Sequence, residues 1–433
     1  MKAKVLIVGG GVMGNAIALA AAQRFDALKE PVVLLERGQI AGGSSGSSGG
    51  IVRQNFADRH VSAMARDSMR EYASFESRTG RSVGFHRPGV LTLAGPRRPE
   101  SIERLQENLE IQRSLGIHRE VLNAEQIREK VPGIEVEPGT IGAWEPEGGF
   151  VDAQLAVREF AALARTYGAS TRVGVEIQDL VLKDGRVVGA ETTEGHYDLE
   201  HLVIVAGAWS GRFLAKFGVE LPLKVARVPQ LFVDMPGEDD EAESKIGETH
   251  AWNVDLEDPL AAEAERLGDA QDDAAPGMGH PVIIDLELGF YTRCEPSAWR
   301  TRVCPIGYEP GLMRDLPDDQ DSMPRREDSQ ALRKLLVERL PTYKDQADSE
   351  SIVSWFPLTP DGRALVGPVP GIQGAHIAAG FADHGFKLAP SVGEGFAQLL
   401  LGEPVSAFQP ELFAPNRFEG CTVEPDWSGN VYL

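Results

Sequence analysis

Cysteine is nearly absent from this 433-residue chain, and Cys294, Cys304 and Cys421 are too few and too scattered for a disulfide framework or a metal knuckle. The expectation is reduced thiols, no metal, and a cytoplasmic protein. Long apolar runs are missing too. Even the small-residue stretch 16–22 ends at Gln23 and Arg24, far short of the roughly 20 residues that cross a bilayer. Lys2 and Lys4 precede an apolar run as in a signal peptide, but Gly9, Gly10, Gly11 and Gly14 interrupt it, and the segment reads as folded structure. Positive charge is scarce: 43 Lys and Arg face 65 Asp and Glu, a formal net charge of -22. That balance repels phosphate backbones and acidic membranes, and nucleic acid is excluded as an expected partner. Part of the excess lies in an acidic insertion at 236–280, where Glu238, Asp239, Asp240, Glu241 and Glu243 form a dense run. A solvated surface insertion is the preferred reading, with a partner-binding segment as the alternative.

What is present is an ordinary globular composition, 42% hydrophobic and 25% charged, long enough for two or three folding units. Residues 5–8 form an aliphatic run without polar alternation, which suits a strand buried on both faces of a parallel sheet. Small helix formers follow at 16–25 and a second buried strand at 32–35, completing a βαβ unit. Apolar residues recur at helical spacing over 61–75 and 153–167. Between 174 and 205, aliphatic clusters broken by Asp184-Gly185 and Glu194-Gly195 predict antiparallel hairpins that return to a buried run at 202–205. A last apolar run at 375–379 precedes glycines and a helix over 392–401. The expected fold is α/β, a Rossmann-like nucleotide domain discontinuous in sequence (1–85, 150–220, 350–433), with a second domain from 86–149 and 221–349.

The glycines carry the first chemical signal. Gly9-Gly10-Gly11-Val12-Met13-Gly14 fits G-x-G-x-x-G between an expected strand and an expected helix. Gly9 permits the tight turn, Gly11 lets backbone approach a pyrophosphate, and Gly14 lets helix and strand pack closely. The N–H groups that open the helix, around Val12 and Met13, can receive the phosphates. Glu36 closes the second strand 22 positions after Gly14, where an acidic residue accepts ribose hydroxyls and disfavours a 2′-phosphate. The Gly/Ser tract 42–50 follows so closely that a ligand-contacting loop is preferred over a linker.

Four segments go further: the fingerprint through Glu36, the Gly/Ser loop running into Gly50-Ile51-Val52-Arg53, Ala206-Gly207-Ala208-Trp209-Ser210, and Gly380-Phe381-Ala382-Asp383-His384-Gly385-Phe386-Lys387. With them the chain resembles the D-amino acid oxidase superfamily, and more narrowly its sarcosine oxidase and glycine oxidase branch, over nearly the whole length. The resemblance implies FAD as cofactor and a smaller domain whose antiparallel sheet roofs the flavin. It implies FAD contacts at Gly9, Gly11, Val12, Met13, Gly14, Glu36, Arg37, Ser44, Ser45, Ser48, Gly49, Gly50, Ile177, Ala206, Gly207, Trp209, Gly362, Gly380, Gly385, Phe386 and Lys387. The segment Thr359-Pro360-Asp361-Gly362 resembles one that lies near the flavin, and x-Pro-Asp-Gly is equally a plain turn signature.

The resemblance also implies catalytic roles. Arg53 and Lys387 match cations that clamp a substrate carboxylate, a guanidinium gripping it bidentately while an ammonium adds a point charge. Tyr291 matches a pocket aromatic and is otherwise a core tyrosine; His384 either moves protons or is satisfied by backbone. Relatives that attach FAD covalently do so at positions occupied here by Ser47 and Ser354, so noncovalent FAD is expected. A lysine that speeds reaction with dioxygen falls on Pro305, which leaves oxidase and dehydrogenase both open, and a neighbouring histidine falls on Glu309, so the substrate need not be sarcosine. The expected activity is oxidation of a small amine or amino acid by hydride transfer to flavin N5, with dioxygen or an electron acceptor protein reoxidising the cofactor. A hydroxy acid oxidoreductase and a noncatalytic FAD-stabilised assembly or electron-transfer subunit are the alternatives.

Overall fold

The structure is a computed structural model that describes residues 1–27, 29–237, 279–308, 313–317 and 322–419. The acidic run, Glu309 and Cys421 lie outside the described residues.

Two large sheets organise the chain. The first has a parallel centre in which Lys2–Val8 pairs with Gly195–Ile204 on one side and Val32–Glu36 on the other, flanked by Ala375–Ala379 and Ser170–Val173. Val5, Leu6 and Ile7 are fully buried because helices cover one face and other elements the reverse, the condition that an unalternated aliphatic strand requires. Leu365–Pro368 adds an antiparallel edge, and Ile177–Lys183 and Arg186–Thr192 form a hairpin leading into Gly195–Ile204. The second sheet is built on Lys224–Asp234, which pairs antiparallel with Asp348–Leu358 and Arg300–Pro305. It continues antiparallel through Phe290–Glu295 and Val282–Asp285, then crosses to Val90–Ala94 by a parallel pairing. A two-stranded ribbon, Ile51–Val52 with Gly149–Phe150, stitches the region between the sheets. The fold is thus the α/β class expected, a Rossmann-like sheet with a mainly antiparallel second sheet. Among the described residues no helix is long and apolar enough to cross a membrane.

Helix boundaries depart from the hydrophobic pattern where special residues intervene. The first helix is Val12–Ala22, beginning at the glycine loop rather than at the alanine run. The helix expected over 61–75 is Arg59–Thr79, since Asp58 caps it by accepting from the His60 and Val61 N–H groups, and Gly80 ends it at φ 69°. The last long helix, expected over 392–401, is Gly385–Leu400 and contains Pro390. A proline there removes the N–H that would bond the Phe386 carbonyl. The Tyr72 hydroxyl takes its place, donating to Phe386 O at 2.8 Å. Burial pushes the Tyr72 phenol well up, which keeps it a donor.

A second polar device joins the sheets. Glu295 lies 3.1 Å from Arg293, 2.8 Å from Arg300 and 2.7 Å from Arg302. Arg302 in turn donates to Gln230 and to the Ser47 carbonyl of the Gly/Ser loop. Burial pushes the Glu295 carboxyl up, but Arg302, Arg293 and Arg300 outweigh it and bring it down to about 2.

Two predictions follow from these contacts. Tyr72→Phe should destabilise the protein by about 1–2 kcal/mol through the orphaned carbonyl, and Pro390→Ala in that background should restore part of it; thermal denaturation of the four-member cycle measures the coupling. Glu295→Gln should destabilise by roughly 3 kcal/mol. Because the folded carboxyl lies below its unfolded value, its contribution is full above about pH 4.3 and fades as pH falls toward 2 in the wild type. Acid titration of wild type and variant, followed by circular dichroism, should therefore converge at the acid end.

Candidate active site

The strand Lys2–Val8 delivers Gly9 at φ 123°, and a Cβ there would meet the Val205 carbonyl at 2.4 Å. Gly14 faces back on the same turn: its Cβ would lie 1.9 Å from Gly9 O. Neither position accepts a larger residue without moving backbone. Asn15 braces the loop, donating through Nδ2 to the Gly10 and Gly11 carbonyls at 3.0 and 2.9 Å. Gly11 is the N-cap of helix Val12–Ala22 and has no side chain to cap it, and the first turn holds no acid. Ser45 Oγ accepts from Val12 N at 3.0 Å. The two Glu36 oxygens accept from Gly10 N and Gly38 N, each at 2.7 Å, which fixes the carboxylate at the cavity wall.

Above this loop runs a cavity of about 560 Å³ between the two sheets. Gly9, Gly11, Val12, Met13, Glu36, Arg37, Ser44, Ser45, Ser48, Ile177, Ala206, Gly207, Trp209, Gly385 and Phe386, all named from the sequence, line it. Arg37 stacks on Trp209 with 5.0 Å to the ring centroid. Gly14, Gly49, Gly50, Gly362 and Gly380 are not in its lining. Gly50, at φ 61°, packs against the Val151 carbonyl; Gly49 faces Tyr291; Gly380 lets the end of its strand approach the Thr359 side chain; and Gly362 sits at φ 69° in the Thr359 turn. Sequence reasoning missed Gly10, Asn15, Lys216, Phe356 and Asp383. Asn15 had a visible signal, a lone amide in a helix of small apolar residues.

A smaller chamber adjoins the cavity and shares Phe356 and Asp383 with it. It gathers Arg53, Tyr291, His384 and Lys387 with Ile51, Ile284, Pro305 and Tyr308. Lys387 lines this chamber and not the large cavity. Arg53 is 2% exposed and Lys387 3%. Burial lowers both below their ordinary values; Asp383 and Glu145 pull Arg53 back up, and Asp383 does the same for Lys387. Arg53 NH1 donates to the Asn55 carbonyl, and its guanidinium lies 4.4 Å from the Phe56 ring centroid. Glu145 is held by Arg119 at 2.9 Å and by Gln54. Burial brings His384 down to about 3, outweighing Asp383, whose carboxylate lies 3.1 Å away. The ring meets Phe56 edge-on at 5.2 Å. Burial pushes the Tyr291 phenol well up.

Ser47 and Ser354, 307 residues apart, hydrogen-bond to each other at 2.7 Å, and Gln230 donates to Ser354 Oγ at 2.6 Å.

A βαβ glycine loop, an acid at the end of the second strand, a long cavity and a small buried cationic chamber define a dinucleotide-dependent oxidoreductase. The FAD dependent oxidoreductase family, DAO, matches residues 4–399, and the chain belongs to it. FAD is therefore its cofactor, and the glycine cradle, the helix start free of acidic residues and the Glu36 carboxylate fit that group. The chain is 26% identical to peroxisomal sarcosine oxidase of Homo sapiens over 397 residues, 90% of each protein. It is 25% identical to mitochondrial dimethylglycine dehydrogenase of Mus musculus over 98% of its own length and 45% of that protein's. Among solved structures, L-proline dehydrogenase from P. horikoshii superimposes with a TM-score of 0.79 at 22% identity, covering 96% of this chain and 98% of that one.

Glu36→Ala should weaken FAD binding by roughly tenfold or more, since it removes a charged acceptor from the cavity wall and frees two loop N–H groups. Fluorescence titration of the apoprotein with FAD reads this directly.

Proposed function

We propose that the protein oxidises the C–N bond of a small amine or amino acid, with the inner chamber as the substrate site. The observation that carries this reading is the meeting of Arg53 and Lys387, 334 residues apart, in one buried chamber beside the cofactor cavity. Bound FAD supplies the acceptor for the hydride that leaves the substrate C–H bond. Arg53 grips the substrate carboxylate while the Lys387 ammonium adds a point charge, and this orients the C–H bond and removes translational freedom. Ile51, Ile284, Tyr291, Tyr308 and Phe356 exclude water from the reacting groups. The substrate amine reacts neutral, because protonation removes the lone pair that stabilises the developing imine; the imine then hydrolyses in water.

His384 separates this from hydroxy acid oxidation. A hydroxyl needs a base to take its proton, and the chamber's histidine, brought down to about 3, is a poor base at neutral pH. The names of several relatives point the same way, including sarcosine oxidase, dimethylglycine dehydrogenase and 4-methylaminobutanoate oxidase. In this reading segments 1–85, 150–220 and 350–433 carry FAD, and 86–149 with 221–349 carry the substrate. The serines at 47 and 354 leave FAD noncovalently held, since neither hydroxyl is a suitable attachment point. Dioxygen or an acceptor protein completes the cycle.

The test is anaerobic addition of N-methyl and primary amino acids to the FAD-loaded protein, with flavin absorbance as readout. Bleaching by one class, at a rate that rises with pH through the amine ionisation, is expected, and recovery in air separates oxidase from dehydrogenase. A yellow protein bleached only by hydroxy acids would overturn the reading. Arg53→Met should raise the dissociation constant of the amino acid by about 100-fold, the loss of a bidentate charged contact, in stopped-flow reduction.

A further inference from the structure

Among the described residues three charged side chains line the inner chamber, Arg53, Lys387 and Asp383, and the carboxylate anchoring described above uses only the first two. Asp383 Oδ2 lies 3.2 Å from Lys387 Nζ, and Lys387 Nζ also donates to the Asp383 carbonyl at 2.8 Å. One residue therefore engages two of the three ammonium protons. The other carboxylate oxygen lies 3.1 Å from His384 Nδ1. Arg53 differs: among the described residues no carboxylate lies within ion-pair distance of it, and its contacts are the Asn55 carbonyl and the Phe56 ring.

We propose, on the basis of the amino acid reading of this chamber, that Asp383 sets substrate charge: it holds Lys387 as an internal ion pair, leaving Arg53 as the principal seat for a single carboxylate and excluding dicarboxylates. With His384 neutral, the described lining carries two cations and one anion. One substrate carboxylate with a neutral amine balances that charge. A second carboxylate would have to displace Asp383 from Lys387 and leave an uncompensated anion in a buried site, which is strongly unfavourable. Burial pushes the Asp383 carboxyl up, but His384, Lys387 and Arg53 bring it well below its usual range, so it is ionised at neutral pH. Removing its charge releases Lys387 and turns one anion seat into two.

Calorimetric titration of the FAD-loaded protein with acetate and malonate tests this without turnover. Wild type should bind acetate at least tenfold more tightly than malonate, and Asp383→Asn should reverse that order by tightening malonate at least tenfold. Asp383→Glu, which keeps the charge, should retain the wild-type order, and adding Lys387→Met to Asp383→Asn should abolish the malonate gain. If Asp383→Asn fails to take up FAD, Asp383→Ala makes the same comparison. An unchanged order in the neutral variants, a gain that survives loss of Lys387, or no acetate binding in wild type would overturn the proposal. Failure of every amine to bleach the flavin would instead remove the proposed reaction and leave the anion selectivity standing or falling by itself.

Discussion

Placing two cations out of water within one small chamber is the constraint around which this protein is arranged. Arg53 and Lys387 are each almost wholly buried, and an isolated buried charge is tolerated only when it is paired or hydrogen-bonded. Asp383 answers Lys387 directly. Glu145, itself clasped by Arg119 and Gln54, supplies a field at Arg53 without an ion pair to it. The placement of Lys387 depends on the start of helix Gly385–Leu400, and that start survives Pro390 because the Tyr72 hydroxyl reaches the carbonyl the proline leaves bare. A tyrosine in the core of the nucleotide domain thus supports the helix turn that carries a charge of the inner chamber.

The antiparallel sheet is more than a roof. Its strands Phe290–Glu295 and Arg300–Pro305 project three arginines onto Glu295, and Arg302 passes the connection to the Ser47 carbonyl. The loop that lines the cofactor cavity is therefore gripped from the far side by side chains of the other sheet. Ser47, Ser354 and Gln230 complete the grip with short hydrogen bonds. The Gly/Ser loop and the second sheet are mechanically one unit at this point, although 255 residues separate Ser47 from Arg302.

Much of the nucleotide fold was legible in the sequence because its signals are local: Gly9 to Gly14 sits between a strand and a helix, and Glu36 follows at the required distance. The second sheet was not, since its register depends on pairings such as Lys224–Asp234 with Asp348–Leu358 that no short pattern specifies. The helix Gly385–Leu400 was read too short because its first turn is rich in residues of loops, Gly385 and Pro390 among them, and tertiary contacts override that preference. Arg53, Tyr291, His384 and Lys387 were named through resemblance, and the structure sets them around one chamber. Asp383 stood in the same motif without a role, because its importance lies in a distance to Lys387 and not in its spacing.

The order of strands in the first sheet has a consequence for how the chain is made. Its three adjacent central strands are Lys2–Val8, Gly195–Ile204 and Ala375–Ala379. The earliest of them gains Val32–Glu36 on one edge almost at once, but its other edge waits for nearly two hundred residues to be synthesised before Gly195–Ile204 exists, and the third arrives later still. At the usual pace of about 5–20 residues per second, one edge of the first strand stays without its final partner for on the order of ten seconds or more. Such long-range pairing slows folding and exposes a strand edge meanwhile, so the nascent chain is the most aggregation-prone form this protein passes through.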